Sequence, residues 1–195
     1  MKKYSTLAIV HLGLLCAAAV YCVVSAVMLF GGFGFGAAGF AKGEGAQRGI
    51  IDVITILSLA SGAVYVLKGY GKNAAFFYNA FICLQIAATA LLVVLEGVFF
   101  GGTATVLLMI AMGLKAVAIA LLIFLVDLGE KKSMMLFYVI VALDVVGLIL
   151  ALVSVHAANA AYLISAGVFR LLVSATIGLA LLGKYADKAD RKSEE

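Results

Sequence analysis

The sequence predicts an all-α polytopic membrane protein, a bundle of six transmembrane helices arranged as three hairpins with both ends on the cytoplasmic side. Three observations predict it. Of the 195 residues, 66% are hydrophobic and only 12% are charged, against about 25% charged in a soluble domain. Apolar runs of membrane-crossing length recur along the whole chain. The Lys and Arg residues between those runs fall almost entirely on one side of the alternation.

The runs cover about Leu7–Phe30, Ile50–Leu67, Ala74–Leu95, Ala104–Val126, Met134–Val155 and Ala160–Leu182. Each is close to the roughly 20 residues that cross a 30 Å hydrocarbon core. Backbone groups must pair internally in lipid, and the alternation of a β-barrel is absent, so the runs are expected to be helices. The first run follows Lys2 and Lys3 and superficially resembles a signal peptide. It continues to Phe30, past the length of a signal sequence's apolar region, so a retained first span is expected.

The N-terminus, 68–73, 127–133 and the C-terminal tail alternate with the other connections. They hold Lys2, Lys3, Lys68, Lys72, Lys131, Lys132, Lys184, Lys188, Arg191 and Lys192; the opposite side holds Lys42 and Arg48 alone. Basic residues collect on the cytoplasmic side, which places both ends inside. The organisation read from this is a single transmembrane domain, 1–183, with a charged cytoplasmic tail, 184–195. A multi-pass protein of a cell membrane is expected, with the bacterial cytoplasmic membrane as its location. The tyrosines at positions 4, 70, 78, 138 and 185 suit an inner aromatic belt.

The long external connection, 31–49, is glycine-rich and carries Phe33, Phe35 and Phe40. A mobile linker with its rings in the interface explains it, and a lid over an outer vestibule is the sharper alternative. Phe77-Tyr78 opens the third run and Phe137-Tyr138 the fifth. Gly129 follows the fourth and Gly183 the sixth. These echoes suggest a repeated out-and-back unit. The absence of proline argues against broken helices. Gly97 and Gly101 form a GxxxG at a span end, with little weight in the reading.

The chemistry lies in the few polar residues inside the spans. Gln85, Lys115, Asp144 and Arg170 fall at the centres of the third, fourth, fifth and sixth runs. A charge at mid-bilayer costs roughly 2.5–3.5 kcal/mol even on insertion scales, so each should face protein or water and find a partner. Small residues share their faces: Gly147, Ala151 and Ser154 with Asp144, and Gly167, Ser174 and Gly178 with Arg170. Thr89 and Glu96 extend the face of Gln85. The candidate site is therefore Gln85, Lys115, Asp144 and Arg170, supported by Thr89 and Ser174. Asp144 is expected within salt-bridge or single-water distance of Arg170 or Lys115. Two readings stay open. The charges are structural staples, or two cations against one carboxylate bind a small anionic solute or relay protons.

Other polar residues carry less. His11 reads as a packed or interfacial histidine, His156 as a loop residue, and Asp52 and Glu96 as solvated span ends. Cys16, Cys22 and Cys83 form no CxxC or Cys/His cluster, so neither a disulfide nor a metal site is expected. No cofactor or nucleic-acid partner is expected, and the +4 net charge reports orientation. No GxSxG, HExxH or Walker loop is present, and no enzyme activity is expected.

The six runs, short loops, hairpin plan and the stretch Leu143-Asp144-Val145-Val146 resemble HdeD-like bacterial membrane proteins. The chain departs from that family in having neither proline nor tryptophan. The resemblance implies a link to acid-stress resistance and carries no functional site with it. The plan is also similar to that of small six-span substrate-binding subunits of vitamin transporters. The leading expectation is a small permease-like or channel-like protein with a midplane polar site. The alternative is a non-transporting accessory or stress-related membrane protein whose buried charges are structural.

Overall fold

A computed structural model describes residues 5–34, 43–99, 103–123, 128–154 and 160–194. Its described residues form α1 (Thr6–Gly31), α2 (Glu44–Leu67), a 3-10 turn (Lys72–Ala74), α3 (Ala75–Phe99), α4 (Thr103–Ala120), α5 (Glu130–Ser154) and α6 (Ala160–Glu194). Helix α1 is capped at both ends. Ser5 Oγ accepts from the Ala8 N–H at 3.3 Å, and Gly32 takes the left-handed conformation that ends many helices. Five helices are long and apolar enough to cross a membrane; α4, apolar over Thr105–Ala120, is shorter.

Helix α4 ends at Ala120, earlier than its apolar run suggests. The chain tightens there, with Leu122 N–H on the Ile119 carbonyl and Ile123 N–H on that of Ala120. The Tyr78 hydroxyl donates to the Leu122 carbonyl at 2.8 Å, satisfying a group the helix no longer pairs. Three other boundaries also move. Helix α2 begins at Glu44, so part of the glycine-rich connection is helical. Helix α5 begins at Glu130, just after Gly129 at φ 76°. Helix α6 runs through Gly183 to Glu194, so the segment expected as a tail continues the helix. Gly183 lies within this helix, and the Tyr70 ring packs where a Cβ at that position would stand.

The helices form a ring. Each packs on its neighbours in sequence, and α6 closes on α1. Helix α2 packs on α3 as extensively as on α1, so contacts between the expected hairpins match those within them. Large apolar side chains such as Ile9, Val20, Val98, Val117 and Val168 stand exposed on the outside. A surface of that kind suits lipid as its solvent.

The interior divides by depth. In the half nearer the 68–74 connection, one continuous apolar core joins all six helices, including Leu15, Leu59, Phe81, Ile119, Ile140 and Ile177. Here the aromatic-belt expectation is corrected. Tyr70, Tyr78 and Tyr185 are buried in this core, Tyr138 is exposed, and Tyr4 lies outside the described residues. Each buried phenol has found a polar partner: His11 for Tyr70 at 3.2 Å, Leu122 for Tyr78, and Ser133 for Tyr185 at 2.6 Å. His11 is fully buried and stacks on Tyr70, which makes it a packed histidine. Cys16, Cys22 and Cys83 are free thiols, with only Cys22 buried.

Candidate functional site

The other half of the bundle encloses polar side chains beside a smaller apolar cluster of Leu108, Ala111 and Met112. Helix α2 contributes Arg48, Asp52 and Thr55; α3 contributes Gln85, Thr89 and Glu96; α4 contributes Lys115; and α6 contributes Tyr162 and Arg170. They line a cavity of about 80 Å³, large enough for several waters or part of a small solute. It runs from the ends that carry the 35–42, 100–102 and 155–159 connections to mid-depth. Lys115 lies about 18 Å along α4 from Thr103, at 1.5 Å per residue.

The structure brings together two of the three midplane charges. Lys115 Nζ donates to Asp144 Oδ1 at 2.6 Å, and both side chains are buried. The second carboxylate oxygen, Oδ2, accepts from the Ser174 hydroxyl. Asp144 therefore ties α5 to α4 and α6 at one level. Ser174 sits one turn beyond Arg170 on α6, and it is this hydroxyl, not the guanidinium, that α6 presents to the carboxylate.

Arg170 is left differently placed. Among the described residues it makes no ion pair within 4.0 Å. Its Nε has no hydrogen-bond partner, and its Nη1 lies 3.8 Å from Met112 Sδ. It lines the cavity, half-buried. Gln85 is buried and donates from Nε2 to Ser58 Oγ at 2.9 Å; Ser58 in turn donates to the Phe81 carbonyl. Thr89 turns its hydroxyl back to the Gln85 carbonyl, one turn earlier on α3. The polar stripe of α3 thus faces the interior, but its donors bond mainly within α2 and α3.

A second cluster lines the cavity toward the start of α2 and the end of α3, and it corrects three expectations. Arg48, assigned to a loop, is on α2 and 3% exposed; Glu96, expected as a solvated end, is 7% exposed. Arg48 Nε donates to Glu44 Oε1 at 2.8 Å and its Nη2 to Glu96 Oε1 at 3.0 Å, linking α2 to α3. The Tyr162 ring of α6 lies 5.4 Å from the same guanidinium. Asp52, also expected at a solvated end, is 8% exposed and its Oδ2 has no hydrogen-bond partner. The spacing held a signal for this cluster. Glu44, Arg48 and Asp52 recur every four residues, and Thr55 continues the stripe, which is one face of a helix. The glycines that precede it drew the reading toward a loop.

Phe35, Phe40, Gly101 and His156 lie outside the described residues, as do positions 35–42 of the connection considered as a lid. Among the described residues no group of His, Cys, Asp and Glu is placed to hold a metal ion. No family model, curated protein or solved structure matches this chain.

Proposed function

We propose that this protein is a small permease-like membrane protein that takes a small polar solute into the cavity bounded by α2, α3, α4 and α6. One observation carries the reading: among the described residues Arg170 faces the cavity without an ionic partner, while the buried cations Arg48 and Lys115 are paired. A cation held there costs several kcal/mol unless water or a ligand solvates it. In this reading the protein has six spans, N-in and C-in, α4 being the shortest. The cavity then faces the external side, and the Arg48 cluster forms its outer closure. The packed core of Phe81, Ile119 and Ile177 forms the inner closure. Two closures with a polar site between them suit alternating access better than an open channel.

Cysteine labelling tests the access and the orientation together. In a variant lacking the three native cysteines, Thr89→Cys should react with an impermeant thiol reagent added outside. Ile82→Cys, one helix segment deeper in the core, should not. Ser193→Cys in the last turn should react only after the membrane is opened. An unreactive Thr89→Cys, together with no flux of any small solute in proteoliposomes, would remove the reading. Labelling of Ser193→Cys from outside would invert the orientation.

A second reading has its own support. The Lys115–Asp144–Ser174 group is closed on itself, as a staple between α4, α5 and α6 would be. An accessory or stress-related membrane protein, the role the HdeD-like resemblance implies, needs no more than that. It predicts lost stability on breaking the pair and no flux in any variant.

A further inference from the structure

The charges that line the cavity separate into those that are matched and those that are not. Arg48 is matched by Glu44 and Glu96, and Lys115 by Asp144. Arg170 and Asp52 remain. They lie on different helices, α6 and α2, and face the same cavity. They carry opposite charges, yet they stand further apart than the 4.0 Å of an ion pair. Among the described residues each keeps an atom without a hydrogen-bond partner, Nε of Arg170 and Oδ2 of Asp52, although Asp52 lies beside the Ser25 hydroxyl and within electrostatic reach of Arg48. Asp52 does so while more than nine-tenths buried.

Two opposite charges left unpaired across a common space are complementary to a molecule that carries both signs. We infer that the cavity binds a small zwitterion, a molecule with one ammonium and one carboxylate group, an inference that rests on the solute-binding reading above. The carboxylate of the solute takes the fork of Arg170, where a guanidinium offers parallel donors. The ammonium takes Asp52. Asp52 lies about 12 Å along α2 from Glu44, and Arg170 about 15 Å along α6 from Ala160, so both ends of a short solute reach their partners at similar depth. Glu96, the second carboxylate on Arg48, adds negative charge on the ammonium side of the cavity. Lys115 and Arg170 put two cations on the α4 and α6 side against the single carboxylate of Asp144. The cavity is thus polarised across its width, negative toward α2 and α3 and positive toward α4 and α6. A simple anion leaves Asp52 without a counter-charge, and a simple cation leaves Arg170 without one. Only a solute bearing both charges leaves neither group unpaired.

Binding to the intact protein in nanodiscs, read by calorimetry, tests this. The probes are alanine, β-alanine and 4-aminobutyrate, which differ in the spacing of their charges, with propionate and propylamine as the single-charge controls. At least one zwitterion should bind at least about tenfold more tightly than either control, the factor expected for one charge-assisted hydrogen bond in a buried site. Asp52→Asn should reduce that preference over propionate, and Arg170→Gln that over propylamine, each by about the same factor. Equal binding of propionate and the zwitterions would overturn the inference while leaving a solute cavity in place, as would binding of propylamine alone. Binding of none of the five would overturn it too. The labelling of Thr89→Cys then decides whether the solute-binding reading falls with it.

Discussion

Asp144→Asn is the sharpest probe of the charge layer. At 2.6 Å the Lys115–Asp144 attraction is about 6 kcal/mol at an effective dielectric near 20. Desolvation of the two ions, several kcal/mol each, offsets most of it. The pair is therefore worth little relative to an apolar replacement, but either partner left alone is costly. Asp144→Asn keeps a group that can accept from Ser174 and strands the Lys115 cation. A loss of about 3–5 kcal/mol is expected, toward the lower end because Lys115 lines the cavity and water can reach it. Lys115→Met strands the carboxylate instead. Asp144 is 1% exposed and does not line the cavity, so its loss should lie at the upper end of the same range. The double variant Lys115→Met/Asp144→Leu should recover most of either loss, since no buried charge is then unmatched. Reversible unfolding by sodium dodecyl sulfate in mixed micelles measures all three. Additive losses in the double variant would refute the reasoning. So would an Asp144→Asn variant within about 1 kcal/mol of the parent, less than the full desolvation cost of an unmatched buried ion.

Three further variants test buried contacts. Arg48→Gln should cost about 3–5 kcal/mol, because it leaves Glu44 and Glu96 buried and facing each other without their cation; the same unfolding assay reads it, and Glu96→Gln should partly compensate. Gly183→Ala should cost about 1–3 kcal/mol, since the new methyl meets the Tyr70 ring in a turn already held at φ 62°. Gly167→Ala should cost less in thermal-shift measurements, because its nearest contact is the Leu148 Cδ1 methyl, with Cγ and Cβ further off, and an aliphatic side chain can change rotamer where the Tyr70 ring cannot yield.

Much of the architecture was legible in composition and periodicity. Long apolar runs without proline leave the backbone no partner but itself, so helices of membrane length follow from the chemistry of lipid alone. The inward faces of Gln85, Asp144 and Ser174 were readable too, because a polar group in an apolar helix has only one direction that avoids lipid. Boundaries were less so. Thr103–Ala120 stops short of its apolar run, and the Leu122 carbonyl beyond it is satisfied by Tyr78 from another helix, a contact the sequence does not display. Thr6–Gly31 followed its run closely, because Ser5 and Gly32 cap it from its own sequence.

Pairing was decided only in three dimensions. Asp144 had two cations at suitable depth, and its choice of Lys115 depends on how α4, α5 and α6 are rotated about their axes. Sequence sets the depth of a residue through the rise of a helix, and its face relative to neighbours on the same helix. It does not set which face of another helix comes opposite. Asp144 is taken by Lys115 and Ser174, and Arg170 faces the cavity without an ion pair among the described residues. The Arg48 cluster likewise needed Glu44, Glu96 and Tyr162 from three helices. Their convergence is a property of the closed ring, in which α6 returns to α1 and encloses a polar half beside an apolar one.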